Sequence, residues 1–157
     1  MGYAIPSGSG AKGGIVLAME PKYGINDNIS LGLRLEAAIT ARAATDKNGE
    51  SFTGDVKASG SYLATGDYYF NTSKFRPFAG LGAGLYKLAA VQISSEDEEI
   101  DEADVEASSK FGFAPRAGFE LGHFRTAVEY NVAGKTGKIN NNYLSIKLGF
   151  FIGGGRN

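Results

Sequence analysis

The feature that most constrains this chain is the alternation of apolar and polar residues over 143–152, YLSIKLGFFI. Apolar side chains fall on every second position from Leu144 to Ile152, and residues such as Ser145 and Lys147 fall between them. A repeat of two residues places neighbouring side chains on opposite faces of a β-strand, whereas a helix repeats every ~3.6 residues. This segment is therefore predicted to be a strand with one apolar face.

The same alternation recurs along the chain and predicts an all-β fold. The predicted strands lie at about 2–6, 14–23, 29–42, 55–70, 77–93, 110–122, 125–132 and 143–152. The first of these eight is short, and we expect it to be a truncated strand that pairs with the last, because a barrel of even strand number has no free edge. At 157 residues the chain has room for one domain only, which we take to be 1–157.

The connections between these strands alternate in length. The long ones are predicted at 6–13, 45–54, 94–109 and 134–141, and the short ones at 25–28, 71–76 and the two-residue turn His123-Phe124. In an antiparallel up-and-down barrel, successive connections fall at opposite ends. All long connections should therefore lie at one end of the barrel and all short turns at the other.

The apolar face can be buried in two ways. It points inward in a soluble barrel and outward into lipid in an outer-membrane barrel, and periodicity alone does not choose between them. Strands 29–42 and 55–70 exceed the ~9–11 residues that a tilted strand needs to cross a bilayer, whereas strands in soluble proteins average ~5–6. Together with the loop asymmetry, this length favours an eight-stranded antiparallel transmembrane β-barrel.

The polar face carries both signs of charge in similar numbers. Eight of its residues are predicted to form an ion-pair network inside the barrel, because an eight-stranded barrel is only wide enough for side chains to fill it. These residues are Glu20, Arg34, Glu36, Arg116, Glu120, Arg125, Glu129 and Lys147. Lys22, Arg42, Lys57 and Asp67 share the same face.

Aromatic residues gather near the predicted strand ends, which is typical of the rings at membrane interfaces. Those near the short turns are Tyr23, Tyr68, Phe70, Phe75, Phe78, Phe119 and Phe124, and those toward the long loops are Tyr130 and Tyr143.

One connection is strongly acidic. The segment 96–106 contains Glu96, Asp97, Glu98, Glu99, Asp101, Glu102, Asp104 and Glu106. Clustered carboxylates suit Ca²⁺, but the spacing of an EF-hand loop is absent, so a solvated loop is the competing interpretation. Without these eight acids the chain has 9 acidic and 16 basic residues, a net charge of +7, against −1 for the whole chain. The near-neutral total argues against a nucleic-acid binder.

The chain offers little for catalysis. It has no Cys and one His, His123, which lies in the shortest turn. Glu120 and Glu129 could be paired for acid–base work, but the nearby arginines favour ion pairing instead. The run GLGAG at 80–84 resembles a phosphate-binding loop, yet it continues as an alternating strand rather than a helix. We therefore expect no enzyme activity, no cofactor and no metal site outside the acidic loop.

The chain resembles the small eight-stranded outer-membrane β-barrel proteins of the OmpA, OmpX and OmpW type, in particular those found in Bacteroidetes. The resemblance is carried by GYAIPSG (2–8), EPKYGINDNISLGLRLEAAI (20–39), FRPFAGLGAGLY (75–86), PRAGFELGHFRTAVEYN (115–131) and NYLSIKLGFFIGG (142–154). Many such proteins end on an aromatic residue that carries an assembly signal, whereas this chain ends GGGRN.

This resemblance implies a monomeric protein of a Gram-negative outer membrane, with a structural, surface-interaction or adhesion role and an extracellular partner bound through the long loops. A narrow porin-like channel or carrier for small apolar molecules is the first alternative. A soluble, lipocalin-like barrel that binds a lipophile is the second, and it requires Leu144, Ile146 and Leu148 to point inward.

Overall fold

The computed structural model describes residues 1–7, 11–44, 53–92, 108–136 and 139–152, and most of these residues lie in β-strands. The strands are β1 (Gly2–Pro6), β2 (Ala11–Met19), β3 (Lys22–Gly24), β4 (Ile29–Ala44), β5 (Thr53–Tyr69), β6 (Phe75–Gln92), β7 (Ser108–Leu121), β8 (Phe124–Asn131), β9 (Lys135–Thr136), β10 (Ile139–Asn140) and β11 (Tyr143–Phe150). Within the described ranges no helix is long and apolar enough to cross a membrane.

Eight of these strands close into an antiparallel barrel. Each pairs with its neighbour along the chain, and the circle closes because β1 pairs with β11 on one side and with β2 on the other. The short strand β3 is an additional strand at the edge of β4. The predicted all-β, eight-stranded antiparallel fold is confirmed.

The pairing register fixes the tilt of the strands. Following paired residues once around the barrel from Ile29 leads back to β4 at Ile39, which is a stagger of ten residues. With the usual strand rise and spacing, eight strands with this stagger tilt by roughly 40° from the barrel axis. One residue then advances about 2.5 Å along the axis.

The connections divide the barrel into two unlike ends. The short-turn end contains the connections at 25–28, 70–74 and 122–123, together with Met1 and Phe151. The long-connection end contains the last residues of β1, β4, β6 and β8 and the first residues of β2, β5, β7 and β11. The described part of the connection between β8 and β11 includes the small hairpin β9–β10.

Several predicted boundaries were wrong. The predicted strand 14–23 is divided into β2 and β3 at Glu20-Pro21, and the carbonyl of Pro21 instead accepts a hydrogen bond from the Leu33 N–H. Proline has no N–H to continue a ladder. The tight turn is Gly122-His123 rather than His123-Phe124, because Gly122 adopts a positive φ of 60° that glycine tolerates best.

The alternation of the sequence translates into two faces of the barrel wall. On β4, Leu31, Leu33 and Leu35 are about half or more exposed, while Arg34 and Glu36 are buried. The same division holds on β11, where Ile146 and Leu148 are 43% and 49% exposed and Ser145 is fully buried. Apolar side chains therefore cover the outside, and polar and charged side chains fill the inside.

Candidate functional site

The interior near the short-turn end contains a cluster of charged side chains centred on Asp67, which we call the end cluster. Its members are Glu20, Lys22, Asp67, Arg116, Glu120 and Arg125. Asp67 lies on β5 and accepts hydrogen bonds from Arg116 Nε at 2.7 Å, from Arg125 Nη2 at 2.8 Å and from Lys22. Three cations thus surround one buried carboxylate.

Arg116 connects this carboxylate to a second one. Its Nη1 and Nη2 donate to the two oxygens of Glu20 at 3.0 and 2.7 Å. This bidentate arrangement matches the planar guanidinium to a carboxylate and holds both in one geometry. At the mouth of the barrel, Arg76 Nη1 lies 3.8 Å from Glu120, whose other oxygen accepts hydrogen bonds from Tyr69 and Arg125.

A second group, the middle cluster, lies further toward the long-connection end and consists of Arg34, Glu36, Glu129 and Lys147. Lys147 Nζ donates to both Glu36 and Glu129, and the distance to Glu129 is 2.8 Å. Arg34 Nη1 donates to the other oxygen of Glu129. Arg116 Nη1 lies 4.0 Å from that oxygen and joins the two clusters into one ion network.

Glycines on β6 make room for this network. The inward-facing glycines include Gly80, and a Cβ there would collide with the Asp67 carboxylate and the Gly66 carbonyl. The run GLGAG at 80–84 therefore belongs to a strand wall that leaves space for charged side chains opposite it. The strand β6 continues beyond this run to Gln92, as the sequence predicts.

Beyond the middle cluster, tyrosines and small residues close the interior. Tyr86 is fully buried and its hydroxyl donates to Asn131 Oδ1 at 2.9 Å. Tyr143 is 6% exposed and its hydroxyl donates to Glu36 at 2.6 Å. The apolar residues packed around them are Ala4, Val16, Ala38, Leu63, Ala114 and Ala133. This layer separates the ion network from the long-connection end.

Two cavities adjoin the ion network. The larger has a volume of about 960 Å³, opens at the short-turn end and is lined by charged residues such as Lys22 and Arg76 and by apolar residues such as Phe151. The smaller, of about 130 Å³, lies against the middle cluster, and its wall includes Arg34 and Glu129. Glu20 lines both cavities.

The structure places all eight sequence-predicted network residues inside the barrel, each in at least one ion pair. Lys22 and Asp67 join them from the same polar face. Arg42 and Lys57 lie outside the part of the chain whose side chains are described. Arg76, Tyr69, Tyr86 and Asn131 also contact the network and were not predicted from the sequence. The only signal for these residues is the alternation along each strand. On β6, for example, it places Tyr86 on the same face as the inward-pointing glycines.

The predicted aromatic rings divide between the two faces. Tyr23, Tyr68, Phe70, Phe75 and Tyr130 are exposed on the outside, and Phe119 and Phe124 are half-buried. Phe78 and Tyr143 were wrongly assigned to the outer rings, because they are 2% and 6% exposed and point inward. The guanidinium of Arg125 stacks 3.7 Å from the centre of the Phe78 ring, so this side chain belongs to the packing of the ion network.

Two further sequence-predicted features lie apart from the ion network or outside the described residues. The acidic segment 96–106 lies outside the described residues. His123 is in the tight turn, with its ring 5.6 Å from that of Phe151. Within the described ranges, no group of three or more His, Asp or Glu is arranged to hold a metal ion.

Comparison of the chain with protein-family models, with curated proteins and with solved structures found no significant match.

Proposed function

We propose that this chain is an integral membrane protein of a Gram-negative outer membrane, of the kind that its OmpA-, OmpX- and OmpW-like sequence features imply. Its role is structural or one of surface interaction or adhesion, without catalysis. The observation that carries the proposal is the distribution of residues over the barrel wall: apolar side chains outside and a dense ion network inside. A water-soluble barrel places these two sets the other way round.

The height of the apolar exterior supports this proposal. On β4 the outward positions from Ile29 to Ile39 are apolar throughout, and Leu33, at 65% exposed, lies near the middle of the run. Ten residues at the tilt of these strands span about 25 Å along the axis, which is the usual height of the lipid-facing band of an outer-membrane barrel. Exposure of so much contiguous apolar surface to water would favour aggregation.

The outer aromatics support the same orientation. Near the short-turn end three ring pairs lie with centroids 5.2–5.5 Å apart: Tyr68–Phe70, Phe75–Phe119 and Phe124–Phe150. They form a partial girdle at one edge of the apolar band, the position that aromatic side chains favour at a membrane interface. The short-turn end would then face the periplasm, and the long connections would face the exterior and any partner there.

The test is refolding from urea in plain buffer and in micelles of a nonionic detergent. Far-UV circular dichroism and gel mobility with and without boiling report the folded state. We expect a β spectrum and a heat-dependent band shift only in detergent. A monomeric β protein in plain buffer would contradict the proposal and would support the soluble, lipophile-binding alternative.

The channel alternative is favoured by the cavity of about 960 Å³ at the short-turn end, which gives small molecules access to part of the interior. The ion network and the layer of Tyr86 and Tyr143 stand between this cavity and the opposite end. A continuous lumen would need all of them to move. We therefore expect no single-channel conductance when the refolded protein is inserted into planar bilayers, and a stable conductance would favour the channel.

A further inference from the structure

The middle cluster contains a buried guanidinium, that of Arg34, in which two nitrogen atoms lack a hydrogen-bond acceptor. Arg34 is 1% exposed, its Nη1 donates to Glu129, and its Nε lies 3.5 Å from Glu36. Its Nε and Nη2 are both buried and have no hydrogen-bond partner among the described residues, and Nη2 has no carboxylate near it in the described ion pairs. A buried charged donor left unpaired is costly, because it has lost its water without gaining a replacement.

Arg34 also lines the smaller cavity, of about 130 Å³. The cavity wall contains four cationic side chains, Arg34, Arg116, Arg125 and Lys147, and two carboxylates, Glu20 and Glu129. Both oxygens of each carboxylate already accept hydrogen bonds, those of Glu129 from Arg34 and Lys147 and those of Glu20 from Arg116. The unused hydrogen-bonding capacity at this cavity is therefore that of a donor.

The network as a whole contains unequal numbers of cations and carboxylates. Its cations are Lys22, Arg34, Arg76, Arg116, Arg125 and Lys147, and its carboxylates are Glu20, Glu36, Asp67, Glu120 and Glu129. Six positive charges thus face five negative ones in the described ion pairs. The additional cation is Arg76 at the mouth of the barrel. The excess that bears on the smaller cavity is that of its own wall, four cations against two carboxylates.

We propose that the cavity beside Arg34 binds a small monovalent anion of halide size, which accepts the hydrogen bond of Arg34 Nη2. The larger cavity, which opens at the short-turn end, adjoins this site, since Glu20 forms part of both walls. A halide fits the site better than a neutral acceptor because four cationic side chains line its wall against two carboxylates, and an anion between them offsets their repulsion. Because the anion site is formed by interior side chains, this proposal does not require the outer face of the barrel to contact lipid.

The first test is a bromide soak of crystals of the refolded protein. We expect an anomalous peak within hydrogen-bond distance of Arg34 Nη2. Electron density of a water molecule there, without an anomalous signal, would overturn the proposal.

The second test is a chloride titration of the refolded protein, followed by the excess linewidth in chlorine NMR and by competition with bromide. We expect saturable broadening that bromide reverses. Arg34→Lys keeps the charge but removes Nη2, and should weaken binding roughly tenfold or more, the loss expected for a hydrogen bond to a charged group. Ala127→Val leaves every charge in place but narrows the cavity that Ala127 lines, and should abolish the saturable component.

The matched control is Lys87→Gln, which removes one positive charge from an exposed side chain on the outer wall. We expect it to bind chloride as the wild type does. Equal binding by the wild type and Ala127→Val, or equal losses in Lys87→Gln and Arg34→Lys, would overturn the site. If Arg34→Lys does not refold, Ala127→Val and the bromide soak still decide the question.

Discussion

The outer and inner faces of the barrel wall are built from neighbouring residues of the same strands, yet they meet opposite surroundings. On β4, Leu33 is 65% exposed and Arg34 is 1% exposed. On β11, Ile146 is 43% exposed, while Lys147 reaches the carboxylates of Glu36 and Glu129. A one-residue step along the chain thus separates a bare apolar surface from a buried ion pair. Whether lipid or water surrounds the barrel therefore determines how much a substitution on each face lowers the free energy of unfolding.

The largest effect is expected on the inner face, from Lys147→Leu. The substitution removes the cation between Glu36 and Glu129 and leaves two buried carboxylates with less compensation. We expect the free energy of unfolding, measured by urea titration in lipid vesicles, to fall by about 3–5 kcal/mol.

Lys87→Leu is the matched control, because it makes the same change on the outer wall. We expect it to leave the free energy of unfolding unchanged or to raise it. If both variants were as stable as the wild type, the interior ion pairs would not contribute to stability as proposed.

The next largest effect is expected on the outer face, from Ile146→Arg. If Ile146 meets the middle of a bilayer, a charge there should lower the free energy of unfolding by roughly 2–4 kcal/mol. The same change at Ile29, beside a short turn at the edge of the apolar band, should cost only ~0–1 kcal/mol. The depth dependence is the informative quantity: equal, small losses at both positions would place this face in water.

The two faces could be predicted from the sequence, but the contacts within them could not. Alternation assigned Arg34 and Glu129 to the polar face because parity is a local property of each strand. Their pairing joins residues on β4 and β8, which are not neighbours in the sheet. The two side chains meet because the ten-residue stagger of the strands brings positions on β4 and β8 to the same level along the barrel axis. The alternation of residues within one strand gives no information about this stagger.

The errors at Phe78 and Tyr143 have a related origin. Both were assigned to the aromatic rings by their position near strand ends, although each shares parity with inward residues such as Gly80 and Ser145. Alternation along the strand is the better guide than nearness to a strand end, because a side chain cannot move to the other face of a strand without a β-bulge. Tyr69, Tyr86 and Asn131 were missed since uncharged side chains were not considered as partners of the ion network.

A smaller effect on the inner face is expected from Gly112→Ala. A Cβ at Gly112 would lie 2.9 Å from Tyr86 Cε2 and would also collide with the Val132 carbonyl. Overpacking of this kind should lower the free energy of unfolding by about 1–3 kcal/mol. Gly149→Ala is the control, since nothing lies within 4 Å of its Cβ position, and we expect no loss of stability there. Equal effects would mean that the tyrosine layer is not tightly packed.

The smallest effect compares two tyrosines on adjacent strands. Tyr86 on β6 is buried and donates to Asn131, whereas Tyr62 on β5 is 53% exposed on the outer wall. Tyr86→Phe removes that donor but leaves Asn131 Nδ2 bonded to Ser145 at 3.3 Å, so we expect a loss of ~0.5–1.5 kcal/mol. Tyr62→Phe removes a hydroxyl outside the interior network and should change the free energy of unfolding by less than ~0.5 kcal/mol. If Tyr62→Phe lowered the free energy of unfolding more than Tyr86→Phe, the buried hydrogen bond of the Tyr86 hydroxyl would contribute little to stability. The layer that closes the ion network would then be held together by packing alone.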